Sequence, residues 1–142
     1  MPAPARSAPA RRVKLAILPS ESDVHPKLAD SMNGILRDAK ARGVHEYVRP
    51  KVTLEVAQLS VECIEPSNSC YTAVGQSMTV NRLLFAQIEA PSARSVRVTV
   101  NLFDVDGGAP IKKVARDFAT ETEAADSLKL LVDEALEGDG GG

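Results

Sequence analysis

The strongest constraint on how this chain can fold is a strict alternation of apolar and polar residues that runs into a two-glycine turn. Every second position is apolar across one stretch, at Val96, Val98, Val100 and Leu102. This is the period of a β-strand with one buried face. The turn Asp106-Gly107-Gly108 tolerates the positive φ angles of a hairpin, so residues 111–118 are predicted to return as an antiparallel partner strand.

Upstream of the hairpin, the sequence predicts a strand–helix–strand unit. A short apolar run over residues 13–18 is stopped by Pro19, which favours a buried strand. Apolar residues then recur every three or four positions over residues 24–42, and Gly43 follows at a position suited to a helix end. A helix is therefore predicted over residues 24–42, and Tyr47-Val48 indicates a brief second strand.

Residues 53–62 fit two structures. One face of a helix would be formed by Leu54, Ala57, Val61 and Ile64. Thr53 would cap that helix. Residues 52–56 also alternate like a strand, but the alternation changes phase by Leu59, which would turn the buried face outward. We predict a helix, and a strand remains the alternative.

Three more elements follow. A helix is predicted around residues 71–78 and a buried strand over residues 83–88. A last helix begins at the capping box formed by Thr120 and Glu123 and ends at Gly138. The predicted fold is α/β (α+β), with a mixed sheet of about four to five strands, a C-terminal antiparallel hairpin and about four helices, mostly on one face.

The ends of the chain have a different composition from its middle. Residues 1–12 are rich in Pro and Ala and are expected to form a flexible tether. Residues 13–137 are expected to form a single globular domain, followed by a Gly-rich linker or tail over residues 138–142. The first twelve residues lack the apolar stretch of an intact signal peptide.

Composition argues against several classes of protein. The 142 residues are 44% apolar, which is too high for a wholly disordered chain, and no apolar run approaches the ~20 residues that span a bilayer. The net charge of −2, with 4% aromatic residues and no Trp, argues against a nucleic-acid partner. The sequence therefore predicts a protein with neither a transmembrane segment nor a nucleic-acid partner.

The only two cysteines, Cys63 and Cys70, are separated by six residues that include the turn formers Pro66, Ser67 and Asn68. The turn could bring the sulfurs together, and we predict a disulfide that ties the end of one helix to the start of the next. A stable disulfide requires an oxidising compartment such as the periplasm. Two unbonded thiols in the cytosol are the alternative, and a redox switch is disfavoured because the pair does not form a C-x-x-C motif.

No catalytic or metal site is predicted. His25 and His45 are twenty positions apart and the two cysteines are seven apart, both wider than the spacing of paired ligands in zinc fingers. Both histidines are expected to be exposed. Residues 104–108 begin like a calcium loop, but Ala115 stands where the loop requires Glu. Nucleophile elbows and phosphate-binding glycine loops are absent from the sequence, so we predict no cofactor and no enzyme activity.

The layout of the chain resembles a family of bacterial envelope domains. The strand over residues 13–19 with its helix, the segment Cys63 to Phe85 and the hairpin through residues 104–107 are similar to TolB amino-terminal-like domains and to LpoB- and CsgG-type domains. The resemblance implies a non-catalytic periplasmic module whose partners are envelope proteins or other domains of the same native chain.

We therefore expect a protein-interaction domain, either scaffold or accessory, that presents a sheet edge or its acidic last helix to a partner. Two alternatives remain at this stage. The first is a regulatory or sensory domain that holds a small ligand between helices and sheet. The more remote one is an enzyme of unrecognised type.

Overall fold

A five-stranded mixed sheet with four helices organises residues 12–140, the part of the chain that the computed structural model describes, with side chains through Glu137. In chain order the elements are β1 (Lys14–Ile17), α1 (Pro26–Arg37), β2 (Glu46–Val48), α2 (Leu54–Ser60), α3 (Asn68–Ser77), β3 (Arg82–Ser92), β4 (Ser95–Asp104), β5 (Ala109–Phe118) and α4 (Glu121–Gly140). The predicted fold class is confirmed.

The predicted ends of the chain fall mostly outside this part. The predicted tether over residues 1–12 lies outside the described residues except for Arg12. Of the predicted tail, only the backbone of residues 138–140 is described, and there α4 continues two residues past its expected end at Gly138.

The strand order is β2-β1-β3-β4-β5. β1 is parallel to both of its neighbours, whereas β3, β4 and β5 form an antiparallel meander. The register at the centre is fixed by Asn81, whose backbone N–H donates to the Lys14 carbonyl (3.0 Å) and whose side-chain oxygen accepts the Lys14 N–H (2.8 Å). The Asn81 carbonyl also accepts the Val105 N–H (2.8 Å), which ties the β4–β5 turn to β1.

The helices cover both faces of the sheet, so the expectation that they lie mostly on one face is wrong. α1 and α4 pack with Leu15, Leu84 and the alternating valines of β4 in one apolar cluster. α2 and α3 pack with Leu18, Phe85 and other residues that point the opposite way in a second cluster. The reason is the strand order. The connection from β1 to β2 moves across the sheet in one direction and the connection from β2 to β3 moves in the other, so two right-handed connections lie on opposite faces.

Helix α1 is shorter than the predicted span of residues 24–42, because it ends at Arg37. The backbone that would have continued the helix binds side chains from further along the chain. Nη2 of Arg49 donates to the Ala39 carbonyl (3.0 Å), and the Tyr47 hydroxyl bonds to both the N–H and the carbonyl of Ala41 (2.8 and 3.1 Å). Gly43 has a φ of 76°, but it lies in the turn before β2.

The ambiguous stretch is a helix, α2, as predicted. The Thr53 hydroxyl caps it by accepting the Val56 N–H (3.4 Å). The helix is one turn shorter than its apolar pattern suggested: it ends at Ser60, and Glu62 has a φ of 59°. Ile64 therefore lies beyond the helix with a relative exposure of 75%, and its expected place on the buried face is wrong.

Two helical glycines provide a matched test of the packing around α3. A Cβ added to Gly75 would lie 2.9 Å from Cγ1 of Val105 and closer still to Cγ2, whereas a Cβ on Gly34 of α1 would meet nothing within 4 Å. We expect Gly75→Ala to lower the free energy of unfolding by about 1–3 kcal/mol through overpacking. Gly34→Ala should raise it by about 0.5–1 kcal/mol. Urea denaturation of both variants measures this, and equal shifts of the same sign would contradict the packing described.

Candidate functional site

On the face of the β3–β4–β5 meander against which α3 packs, no helix within residues 12–140 lies beyond α3. Cross-strand pairing sets two rows of side chains on this face, Gln87–Thr99–Ala115 and Glu89–Arg97–Asp117. Together with Lys113, Pro66 and Tyr71 they line an open hollow of about 730 Å³. Its floor is sheet, and one wall is formed by α3 and the loop between the two cysteines.

A bidentate ion pair crosses the floor of the hollow. Nε of Arg97 donates to Oδ1 of Asp117 (2.8 Å), and Nη2 donates to Oδ2 (3.2 Å). The hydrogen bond from Arg97 holds the pKa of the Asp117 carboxyl below its ordinary value, and the same bond raises the pKa of Arg97. Glu89 stands beside Arg97 in register on β3, so charge alternates in sign across the three strands.

Tyr71 joins the hollow to the apolar core. Its ring packs against Phe85 with centroids 5.0 Å apart and edge-on against Phe103 at 5.6 Å. Burial, with a smaller contribution from the charge of Glu55, raises the pKa of the Tyr71 hydroxyl. The hydroxyl is therefore neutral at physiological pH and offers a polar group beside an apolar ring.

The two cysteines brace the wall of the hollow. Their sulfurs lie 2.01 Å apart and their Cα atoms 5.6 Å apart, joining the end of α2 to the first turn of α3. Cys70 is buried, and the side-chain amide of Gln58, also buried, donates to its Sγ (3.3 Å). The loop that the pair closes presents Pro66 to the hollow.

β5 forms one edge of the sheet next to the hollow. Its only strand partner within the described chain is β4, so one side of a ten-residue backbone has no ladder. Pro110, Lys112 and Lys113 lie exposed along it. Arg116 is also exposed, and it donates to Glu134 of α4 (2.9 Å).

The two histidines lie apart from this site and have partners elsewhere. His25 precedes α1, and its Nδ1 lies 2.6 Å from Oε1 of Glu121 at the start of α4. Its side chain is 19% exposed, so the expectation of an exposed His25 is wrong. His45 is exposed, as expected, and its Nδ1 accepts the Val13 N–H (3.0 Å).

Sequence reasoning named the cysteines as site residues but missed the hollow. Arg97 and Asp117 are twenty positions apart, and only the register of β4 and β5 brings them together. Counting back from the predicted turn pairs Arg97 with Arg116 instead, because a register shift between Leu102 and Phe103 moves the pairing by one residue. The sequence pattern therefore carried no signal that would have found this ion pair.

Comparisons with known proteins found likeness only among solved structures. No family model matches the chain. No curated protein matches it. The LpoB C-terminal domain from Salmonella enterica has a TM-score of 0.47 and 13% identity, over 80% of this chain and 89% of that chain. A lipoprotein from Neisseria meningitidis has a TM-score of 0.46 and 15% identity, over 90% and 96%.

TolB from Acinetobacter baumannii is also similar, with a TM-score of 0.45 and 16% identity, over 90% of this chain but 29% of that chain. LpoB and TolB, two of the protein types that the predicted resemblance named, are therefore among the similar solved structures. None of the helices within residues 12–140 is long and apolar enough to cross a membrane.

The cysteine pair leads to a stability prediction. Removing both thiols by Cys63→Ser with Cys70→Ser should lower the free energy of unfolding by about 2–3 kcal/mol, because the disulfide closes a short loop and restricts the unfolded chain. Urea denaturation with and without reductant measures this. Reductant should destabilise the original protein and leave the double variant unchanged. Intact mass showing two free thiols in protein made under oxidising conditions would overturn the disulfide.

Proposed function

We propose that this domain is a non-catalytic interaction module of the bacterial envelope that binds an extended segment of a partner protein along β5. The observation that carries the proposal is the ten-residue edge of β5 lying beside the open hollow. The partner segment would add a sixth strand to the sheet.

The backbone of β5 supplies the affinity. In an antiparallel ladder, alternate residues of an edge strand direct their N–H and carbonyl groups away from the sheet. These groups need hydrogen bonds from water or from another strand. A partner strand satisfies them all at once, and at ten residues β5 is long compared with the edge strands by which proteins limit unwanted pairing.

The hollow supplies the selectivity. Side chains of an added strand alternate between the two faces of the sheet, so every second one would point toward the face that carries Arg97, Asp117 and Lys113. Arg97 and Asp117 bind each other, and Lys113 is an exposed cation on the same face, separated from Asp117 by Ala115. An apolar side chain of the partner could contact the ring of Tyr71 and Pro66 at the wall.

The charge of the edge favours an acidic partner. Lys112 and Lys113 lie next to each other, so they point to opposite faces of β5 and both flank the incoming strand. Exposed lysines and Pro110 also discourage indiscriminate pairing of edges. A partner segment with carboxylates on both faces is attracted to these lysines, whereas a second copy of this basic edge is repelled by them.

The compartment proposed is the periplasm. The Cα atoms of Cys63 and Cys70 lie 5.6 Å apart, which is within the range of a disulfide, and oxidised pairs persist outside the cytosol. The partner is then another envelope protein or another domain of the same native chain.

Photo-crosslinking tests the proposed surface against α4. A photoreactive residue is placed at Ala115 on the hollow face of β5 or, as the control, at Asp133 on the exposed face of α4. In cells that make the full-length protein, we expect one defined adduct from position 115 and none of that mass from position 133. An adduct from position 133 alone would assign docking to the acidic helix and contradict the proposal.

The purified partner then permits a charge test. Lys112→Glu with Lys113→Glu should weaken binding by about tenfold or more, because each change opposes an acidic segment. Lys129→Glu, a like reversal on α4, is the matched control and should leave the affinity unchanged. Equal weakening by both, or by neither, would contradict strand addition at this edge.

A further inference from the structure

A second recess lies at the opposite side of the sheet, at the carboxyl ends of β1 and β2. The chain leaves β1 toward α1 on one face and leaves β2 toward α2 on the other. Adjacent parallel strands whose following loops separate in this way leave a crevice between them, and such crevices are where open α/β sheets bind ligands. Here the crevice has a volume of about 420 Å³.

The lining of this crevice combines an apolar floor with cations. The apolar part consists of Ile17, Leu18, Pro19, Leu36 and Pro50. Arg37 from the end of α1, with Arg49 and Lys51 from the segment after β2, supplies three positive charges, and Asn33 completes the lining. Apolar walls with a few convergent polar groups are the usual composition of small-molecule sites.

The walls are held in place before any ligand binds. The side chain of Asn33 clamps the backbone of Ser20, accepting its N–H (2.6 Å) and donating to its carbonyl (3.0 Å). Two contacts fix the side chain of Arg49: it donates a hydrogen bond to the Ala39 carbonyl (3.0 Å), and its Cζ lies 5.2 Å from the ring centroid of Tyr47. A guanidinium fixed in this way loses little freedom when it binds an anion.

Three cations line the crevice, and none of its lining residues within the described chain is acidic. The ion pairs found within residues 12–140 do not include Arg37, Arg49 or Lys51. Two arginines, which bind planar anions through paired N–H groups, therefore face a recess that an anion can enter.

We propose that this crevice binds a small organic anion, a carboxylate or phosphate group attached to an apolar body. The anionic head would pair with Arg37 and Arg49, with Lys51 nearby, and the apolar body would contact Pro19 and Pro50, the two prolines of the lining. The site is separate from β5, since β1 and β2 lie at the other end of the strand order.

Four six-carbon probes test the proposal on the ¹⁵N-labelled protein. Hexanoate and hexyl phosphate carry the two candidate heads, while hexanol and hexylammonium keep the chain and replace the anion. We expect saturable NMR shifts in the millimolar range with one or both anions, confined to amides near residues 17–20, 33–37 and 49–52. The stronger anion identifies the head group. Equal shifts with hexanol, shifts spread along β5, or no saturation would overturn the proposal.

Charge-neutralising variants make the test specific. Arg37→Gln and Lys51→Gln should each weaken anion binding by about tenfold, because each removes a charge-assisted contact. Arg42→Gln removes an exposed charge outside the lining and should leave the affinity unchanged. Unperturbed spectra of the free variants show that they fold. Equal affinity for all four proteins would overturn the assignment of the anion to this crevice.

Discussion

The feature on which the rest of this structure depends is the unequal covering of a single sheet. β1 and β3 bury both faces, which is why their sequences are apolar at successive positions, as over residues 15–18 and 83–86. β4 and β5 face α4 on one side of the sheet, while on the other side α3 covers only the end of β4 at Phe103. Alternate residues of β5 are therefore exposed. Helices cover both faces of the first strands but only one face of the last two. This difference leaves the hollow, the wall beside it and the open edge of β5.

The order of the strands explains where the two proposed sites lie. Because the chain leaves β1 over one face and leaves β2 over the other, a crevice opens between the carboxyl ends of these two strands. The meander that follows carries the chain away from β1 and leaves β5 at the far edge. The same sheet thus carries a basic recess suited to a small anion at one end and an edge suited to a protein strand at the other. The wall formed by α3 and the loop between the two cysteines lies beside that edge.

The sequence predicts this fold best where the interactions are local. The hairpin of β4 and β5, the cap at Thr53 and the juxtaposition of Cys63 and Cys70 each depend on residues within a few positions, and turn chemistry and capping were enough to find them. The end of α1 could not be found in this way, because Tyr47 and Arg49 bind its continuation from beyond the next turn. The division of helices between faces depends on strand order, which no local pattern encodes, and the pairing of Arg97 with Asp117 depends on register.

Amide hydrogen exchange of the free protein tests the central claim, that one edge of the sheet is open to a partner strand. We expect slow exchange in β1 and over residues 82–84 of β3, where strands lie on both sides. In β5 we expect slowly and rapidly exchanging amides to alternate, since every second N–H would point away from β4. Uniform protection along β5 in the monomer would mean that something already covers the edge, and the account would then be wrong.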